Sequence, residues 1–130
     1  MNTPICIGLA LIAVAVLGCA SAVSERPATG SLRHVVLLKF KDDAKPEQIQ
    51  AVVEKFRGLK KSIPEIQDLE WGTNVSPENK NEGFTHCFFL TFADAKGRDA
   101  YLPHPAHKEF GGVLRPVLDK VLVVDYVSKD

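Results

Sequence analysis

The sequence predicts a single α+β domain with the element order β-α-β-β-α-β, preceded by a segment of different character. Three observations carry that prediction. Apolar side chains alternate with period two in several separate runs, as strands require. One long apolar stripe at helical spacing lies between the first two of those runs. A chain of 130 residues has room for one hydrophobic core and not two. Hydrophobic residues at 45% and charged residues at 25% are ordinary globular proportions, which excludes wholesale disorder.

The elements follow in order. Leu32 to Lys41 alternates, with His34, Val36, Leu38 and Phe40 on one face and Arg33, Val35, Leu37 and Lys39 on the other. Asp42-Asp43 breaks the run as a turn. Pro46 suits a first helical position, and Ile49, Val52, Val53, Phe56, Leu59 and Ile63 recur helically to about Ser62. Gln50, Glu54, Lys55, Lys60 and Lys61 lie between them as a solvated face. Lys45 is a poor N-cap, and Asp43 serves instead if the helix starts earlier. After Pro64, Ile66 to Val75 reads as a second strand with Leu69, Trp71, Thr73 and Val75 on one side. Ser76 to Gly83 is a polar, turn-rich loop. Phe84 to Phe92 is the third strand, with Phe84, His86, Phe88, Leu90 and Phe92 opposite Thr85, Cys87, Phe89 and Thr91. Ala93 to Leu102 is a short helix stopped by Pro103. Pro105 to about Asp119 is a second helical piece, interrupted at Gly111-Gly112 and Pro116. Lys120 to Val127 closes the domain as a fourth strand.

This order is the ferredoxin-like, split β-α-β arrangement, which places its helices on one face of the sheet. The strands nevertheless carry apolar residues on both faces: Val35, Leu37 and Phe89 point away from the helices. A contiguous exposed apolar patch of that size is rare on a monomer. A second copy of the same sheet covers it most economically, so a homodimer through the sheet faces is expected.

Residues 1–19 read as a secretory or lipoprotein signal, 20–31 as a flexible linker, 32–127 as the domain and 128–130 as a tail. The first 23 residues contain no Asp, Glu, Lys or Arg. The apolar run Ile5–Leu17 is shorter than the about 20 residues of a membrane-spanning helix and fits the core of a signal. It ends in Val16-Leu17-Gly18-Cys19, which resembles a bacterial lipobox with Cys19 as the lipidated residue. No Lys or Arg precedes the run, and Leu17 stands where a smaller residue is commoner. The alternatives are an uncleaved anchor or a plain signal cleaved near Ala20 or Ala22. The expected location is outside the cytoplasm, attached to a bacterial envelope membrane through that lipid or anchor, or otherwise periplasmic or secreted. Ala20 to Ser31 is small, polar and broken by Pro27 and Gly30, as a tether would be. Of the three cysteines, Cys6 leaves with the signal and Cys87 remains as a lone thiol with no internal partner. Lys+Arg and Asp+Glu are both 16, so the charge excess of a nucleic-acid binder is missing.

At Leu32–Lys41, Trp71-Gly72, Gly83-Phe84-Thr85-His86, Tyr101-Leu102-Pro103-His104-Pro105-Ala106-His107 and Asp125-Tyr126 the chain resembles the stress-responsive dimeric α/β-barrel family, Dabb. The resemblance covers residues 32–127 and implies a ferredoxin-like domain that pairs into a dimeric α/β barrel. It also implies site residues. In a plant polyketide cyclase of the family, the Tyr and His that match Tyr101 and His107 form an acid–base pair, and its pocket histidines match His34 and His86. An exported protein does not normally meet a coenzyme A thioester, so the resemblance bears on the pocket and not on that substrate.

Read residue by residue, His34 and His86 lie on apolar strand faces, where a histidine is either a hydrogen-bonded core residue or a pocket group. Tyr101 and His107 flank the Pro103 break and face one cavity if both turn inward. A Tyr hydroxyl there can donate to a carbonyl oxygen while His107 takes a carbon-bound proton. The plainer alternative is a Tyr and a His that order the helix break. His104, Trp71 and Phe110 complete the candidate binding wall, or else belong to the core and the break. His104 and His107 also spell H-x-x-H, but the Glu of a zinc-protease helix is missing and Pro105 sits inside it. Neither metal nor cofactor is expected. Three readings follow: a module binding a small apolar or carbonyl-containing molecule, an acid–base enzyme using Tyr101 and His107, and an interaction protein whose aromatics only fill its core.

Overall fold

The computed structural model describes residues 29–129. The run Ile5–Leu17, Cys19 and most of the expected linker lie outside the described residues. The elements are β1 (Leu32–Phe40), α1 (Pro46–Ser62), β2 (Asp68–Thr73), β3 (His86–Phe92), α2 (Ala95–Tyr101), α3 (Pro105–Leu114) and β4 (Leu118–Val127). The strands form one four-stranded sheet in the order β2-β3-β1-β4, with antiparallel neighbours throughout. This is the ferredoxin-like arrangement, with its second helical region divided at Pro103.

The register decides what shares a face. His34 lies opposite Leu90 of β3 and Asp125 of β4, and Leu38 lies opposite His86 and Val121. Side chains alternate along each strand. His34, Val36 and Leu38 therefore share the helix side with Phe88, Leu90, Val121, Val123 and Asp125. Val35, Leu37, Cys87, Phe89, Leu122, Val124 and Tyr126 share the opposite, uncovered side.

α1 starts and ends where its periodicity indicates, and Val52, Val53, Phe56 and Leu59 are its buried stripe. Its N-cap is Lys45 and not Asp43: the Lys45 N–H donates to Gln48 Oε1 at 2.9 Å, which replaces a capping side chain. Phe56 stacks on Phe88, with centroids 3.9 Å apart and planes within 4°, and Phe110 meets Phe56 edge-on at 4.6 Å. With Leu38, Leu59, Ile63, Leu90 and Phe92 these rings form the core between helices and sheet. Each such burial stabilises the fold by roughly 1.5–3 kcal/mol.

Three boundaries differ from expectation. β2 stops at Thr73, because Asn74 Oδ1 accepts from the Ser76 N–H and turns the chain outward, leaving Val75 90% exposed. β3 begins at His86, since the Phe84 N–H donates to the Asn81 carbonyl and Glu82 and Gly83 have positive φ. α3 runs through Gly111-Gly112 without a break and ends at Leu114, ahead of Pro116. The Arg115 side chain folds back over that glycine pair: a Cβ on Gly111 would meet its Nη1 at 3.2 Å. The pair thus accommodates a long side chain on the helix surface and does not interrupt the helix.

Candidate active site

β1, β4, α2 and α3 meet at one end of the helix–sheet layer. His34, only 5% exposed, hydrogen-bonds through Nδ1 to Asp125 Oδ1 at 2.6 Å. An ionised carboxylate only accepts, so the imidazole donates and its Nδ1 carries the proton. The second Asp125 oxygen accepts from Arg98 Nη1 at 2.9 Å. Arg98 also donates to Asp99 Oδ1 through Nε and Nη2. Burial works to raise the Asp125 carboxyl; the hydrogen bonds from His34 and Arg98 overcome it and hold the group below the usual carboxylate range.

Tyr101 ends α2 and is 1% exposed. Its ring lies edge-on to His34 at 5.6 Å and beside His107 at 4.3 Å. Burial first, and the Asp125 charge second, push its phenol well above the ordinary value of 10.0. Tyr101 is therefore a neutral hydroxyl at any physiological pH, suited to donate.

His107 lies one helix further on, half-buried. Its Nδ1 is 2.9 Å from the Leu102 carbonyl oxygen. A carbonyl only accepts, so the neutral ring carries its proton on Nδ1 and Nε2 is left with a lone pair. The Pro103 break makes this possible, because the end of α2 leaves the Leu102 carbonyl outside any helix ladder. The Tyr101–His107 juxtaposition expected across that break is present.

The wider constellation divides. His86 is four residues from the position opposite His34, or about 13 Å along the strand. There it lies between Trp71, stacked at 6.3 Å, and Phe40, edge-on at 5.1 Å, with Thr85 Oγ1 2.9 Å from its Nδ1. Burial lowers its pKa. His34, Tyr101 and His107 share one end of the layer and His86 the other, with Phe88 and the Phe56 ring stacked on it between the two levels. Trp71 belongs to the sheet edge, 39% exposed beside α1, and Phe110 belongs to the core. His104 is the N-cap of α3: its Nδ1 accepts the Ala106 N–H at 3.1 Å, so its place is structural. Among the described residues no group of three or more His, Cys, Asp or Glu could hold a metal ion.

Sequence reasoning missed Asp125 and Arg98. Asp125 left a signal, as the one charge inside Val121–Val127 and on the parity of the helix side. Arg98 left none, because on a short polar helix it reads as any solvated arginine. Cys87 lies on the uncovered face, half-buried, at the floor of a cavity of about 420 Å³ with Leu37, Leu122 and Phe84. Burial first, and Glu70 second, raise its thiol, so it is not an activated nucleophile.

Fold and constellation together define a small α+β domain with a buried Tyr–His corner backed by a His–Asp pair. Residues 32–128 match the model of the stress responsive A/B barrel domain, and the chain belongs to that family. It is 40% identical over 99 residues to the stress-response A/B barrel domain-containing protein HS1 of Arabidopsis thaliana, covering 76% of this chain and 91% of that protein. It is 35% identical over 99 residues to olivetolic acid cyclase of Cannabis sativa, covering 76% and 98%. The hydroxynitrile lyase of Passiflora edulis superposes with a TM-score of 0.73 at 26% identity, covering 79% of this chain and 97% of that one. A dimeric ferredoxin-like protein from Jannaschia sp. CCS1 superposes with a TM-score of 0.66 at 32% identity, covering 75% and 98%.

Proposed function

We propose that this protein is an exported homodimer that binds a small, apolar, carbonyl-containing molecule at the Tyr101–His107 corner. The observation that carries the reading is Tyr101 itself: a buried, neutral phenol whose ring lies between two imidazoles. A neutral phenol hydroxyl can donate, and a ligand carbonyl oxygen is a matching acceptor. Val121 and Val123, on the helix side of β4 toward Asp125, stay 47% and 48% exposed and offer an apolar surface for the rest of the molecule.

A second reading is acid–base catalysis, and the tautomer of His107 favours it. With Nδ1–H held by Leu102, Nε2 is free to take a proton from the carbon beside the bound carbonyl while Tyr101 donates to the developing enolate oxygen. Two relatives named as a cyclase and a lyase are consistent with chemistry at such a corner.

Acetophenone serves as the probe for both readings. Saturation-transfer NMR on the mature protein should detect binding, and exchange of its methyl protons in D2O should be accelerated if the corner is catalytic. Tyr101→Phe or His107→Ala should then lower the exchange rate by about 10²–10⁴-fold with folding retained. Binding without exchange ends the catalytic reading. Absence of binding, together with no co-purifying small molecule by mass spectrometry, ends both.

The homodimer is supported by the two-faced apolar sheet and by dimeric structural neighbours. An Asp placed at Val35, Leu37 or Phe89 should convert the dimer to monomer in light scattering, since a charge buried in such an interface is left unpaired. A wild type that is already a well-folded monomer removes the argument. Export rests on the run Ile5–Leu17 and on Cys19. Cys19→Ala should move the protein from the membrane to the soluble fraction, and unchanged membrane association would point to an uncleaved anchor.

A further inference from the structure

The helix-side corner contains one strong ionic connection that neither the fold nor the proposed chemistry requires. Asp125 stands on β4, at the edge of the sheet, where nothing in the strand ladder dictates its rotamer. Both of its carboxylate oxygens are nevertheless held, one by His34 and the other by Arg98, 27 residues earlier in the chain on α2. Arg98 is itself tied down by Asp99 at 2.8 Å. The chain of contacts runs from an outer guanidinium, through a carboxylate about one quarter exposed, to an almost fully buried imidazole that meets the Tyr101 ring.

We infer that Arg98 is a positioning residue of this site: it anchors the Asp125 carboxylate to α2, and through Asp125 it holds His34 as a fixed Nδ1 donor beside Tyr101. The inference deepens the Tyr101–His107 reading and rests on it for functional meaning, though the geometry stands without any ligand. The charged and titratable groups facing Asp125 are His34 from β1 and Arg98, Asp99 and Tyr101 from α2, with His107 of α3 behind Tyr101. Among these, Arg98 is the one permanent cation. Without it, the carboxylate would answer only to His34 and to its own burial, which disfavours the charged form. It would bind a proton more readily, and the His34 donor would lose its ionised acceptor at a higher pH.

Arg98 also does what a point charge alone could not. Its planar fork reaches Asp125 with one nitrogen while two others grip Asp99, so the head group has one orientation. Lysine in its place would keep the charge and lose the second anchor.

The test is NMR of the intact protein, following the Asp125 carboxyl carbon and the His34 Nδ1 proton against pH. In Arg98→Leu, which keeps the aliphatic stem, the Asp125 midpoint should rise by about one unit. The His34 Nδ1 proton signal should disappear at correspondingly higher pH. Arg98→Lys should recover part of both shifts. Asp99→Asn, which leaves the guanidinium but exchanges its charged second anchor for a neutral acceptor, should weaken the His34 signal with a smaller midpoint change. Should Arg98→Leu fail to fold, Arg98→Lys and Asp99→Asn decide the matter. Asp125 and His34 behaving as in wild type in every folded variant would overturn the inference. The acetophenone measurements are separate: failure to bind the probe removes the site reading and leaves this ionic latch standing, whereas unmoved NMR signals remove the latch whatever the probe does.

Discussion

His34 and His86 enter the structure by the same route and arrive in opposite chemical situations. Each stands on the helix side of a central strand, among apolar neighbours, and four residues of strand separate their levels. His34 is the more deeply buried, yet it has a carboxylate at 2.6 Å and beyond it an arginine. His86 has aromatic rings on two sides and a threonine hydroxyl, and among the described residues no acidic group is bonded to it. Burial alone acts on His86 and disfavours its charged form. The lesson is that depth does not set the character of a strand histidine; the partner across the ladder does. Asp125 turns one end into a polar corner, and the rings of Phe40 and Trp71 make the other a packing site.

Phe56→Ala attacks the layer that keeps the two ends apart. It removes the ring stacked on Phe88 and touching Phe110, and should cost about 3–5 kcal/mol in denaturant unfolding. The same variant should let the two ends collapse toward each other, visible as exchange broadening of both histidine rings. A cost below about 1 kcal/mol would mean that the core refills without strain.

Asp125→Ala isolates the polar end. It leaves the His34 Nδ1–H without its acceptor at a nearly inaccessible position and should cost about 1–3 kcal/mol near neutral pH. His86→Phe, the corresponding change at the other end, should be much closer to neutral, because a ring is kept between Trp71 and Phe40. Equal losses in the two variants would erase the distinction between the ends.

The smallest effect is the pH window. His86 is lowered from its ordinary value of 6.5, so its neutral form supports the fold above that pH, and stability should fall as pH drops through the lower folded value. Asp125 is lowered from 3.8, so its contribution is present above that value and is lost only in stronger acid, as pH falls through its folded value. Thermal melts below pH 6.5 should therefore lose stability in wild type and less of it in His86→Phe, whereas Asp125→Asn should flatten only the more acidic part of the curve. A wild-type curve with no inflection below pH 6.5 would show that His86 is better solvated than its setting implies.

Much of the architecture was legible along the chain because each element states its own period. The α1 stripe, the two-faced β1 and the division at Pro103 are local properties, and local sterics place Pro46 at a helix start and stop a helix before Pro103. The ends of β2 and β3 were less legible, since an apolar residue such as Val75 continues the alternation even where Asn74 has already turned the chain. Gly111-Gly112 read as a break because the intrinsic cost of glycine in a helix is roughly 1 kcal/mol each, and the packing of α3 on the core outweighs it.

The site was legible only as an inventory. Spacing made Tyr101 and His107 neighbours, because six residues across a proline break keep two side chains close whatever the rest of the fold does. No spacing could join His34 to Asp125, 91 residues away, or either of them to Arg98. Nor could it separate His86 from His34, since both sit on the same parity of their strands. Local periodicity arises from backbone geometry and is written into every few residues, so the chain alone announces its helices, strands and faces. Pairing across the ladder depends on register, and register is set by the packing of the whole sheet against its helices. That packing brings a carboxylate to one histidine and an indole to the other, and so gives two like residues different chemistry.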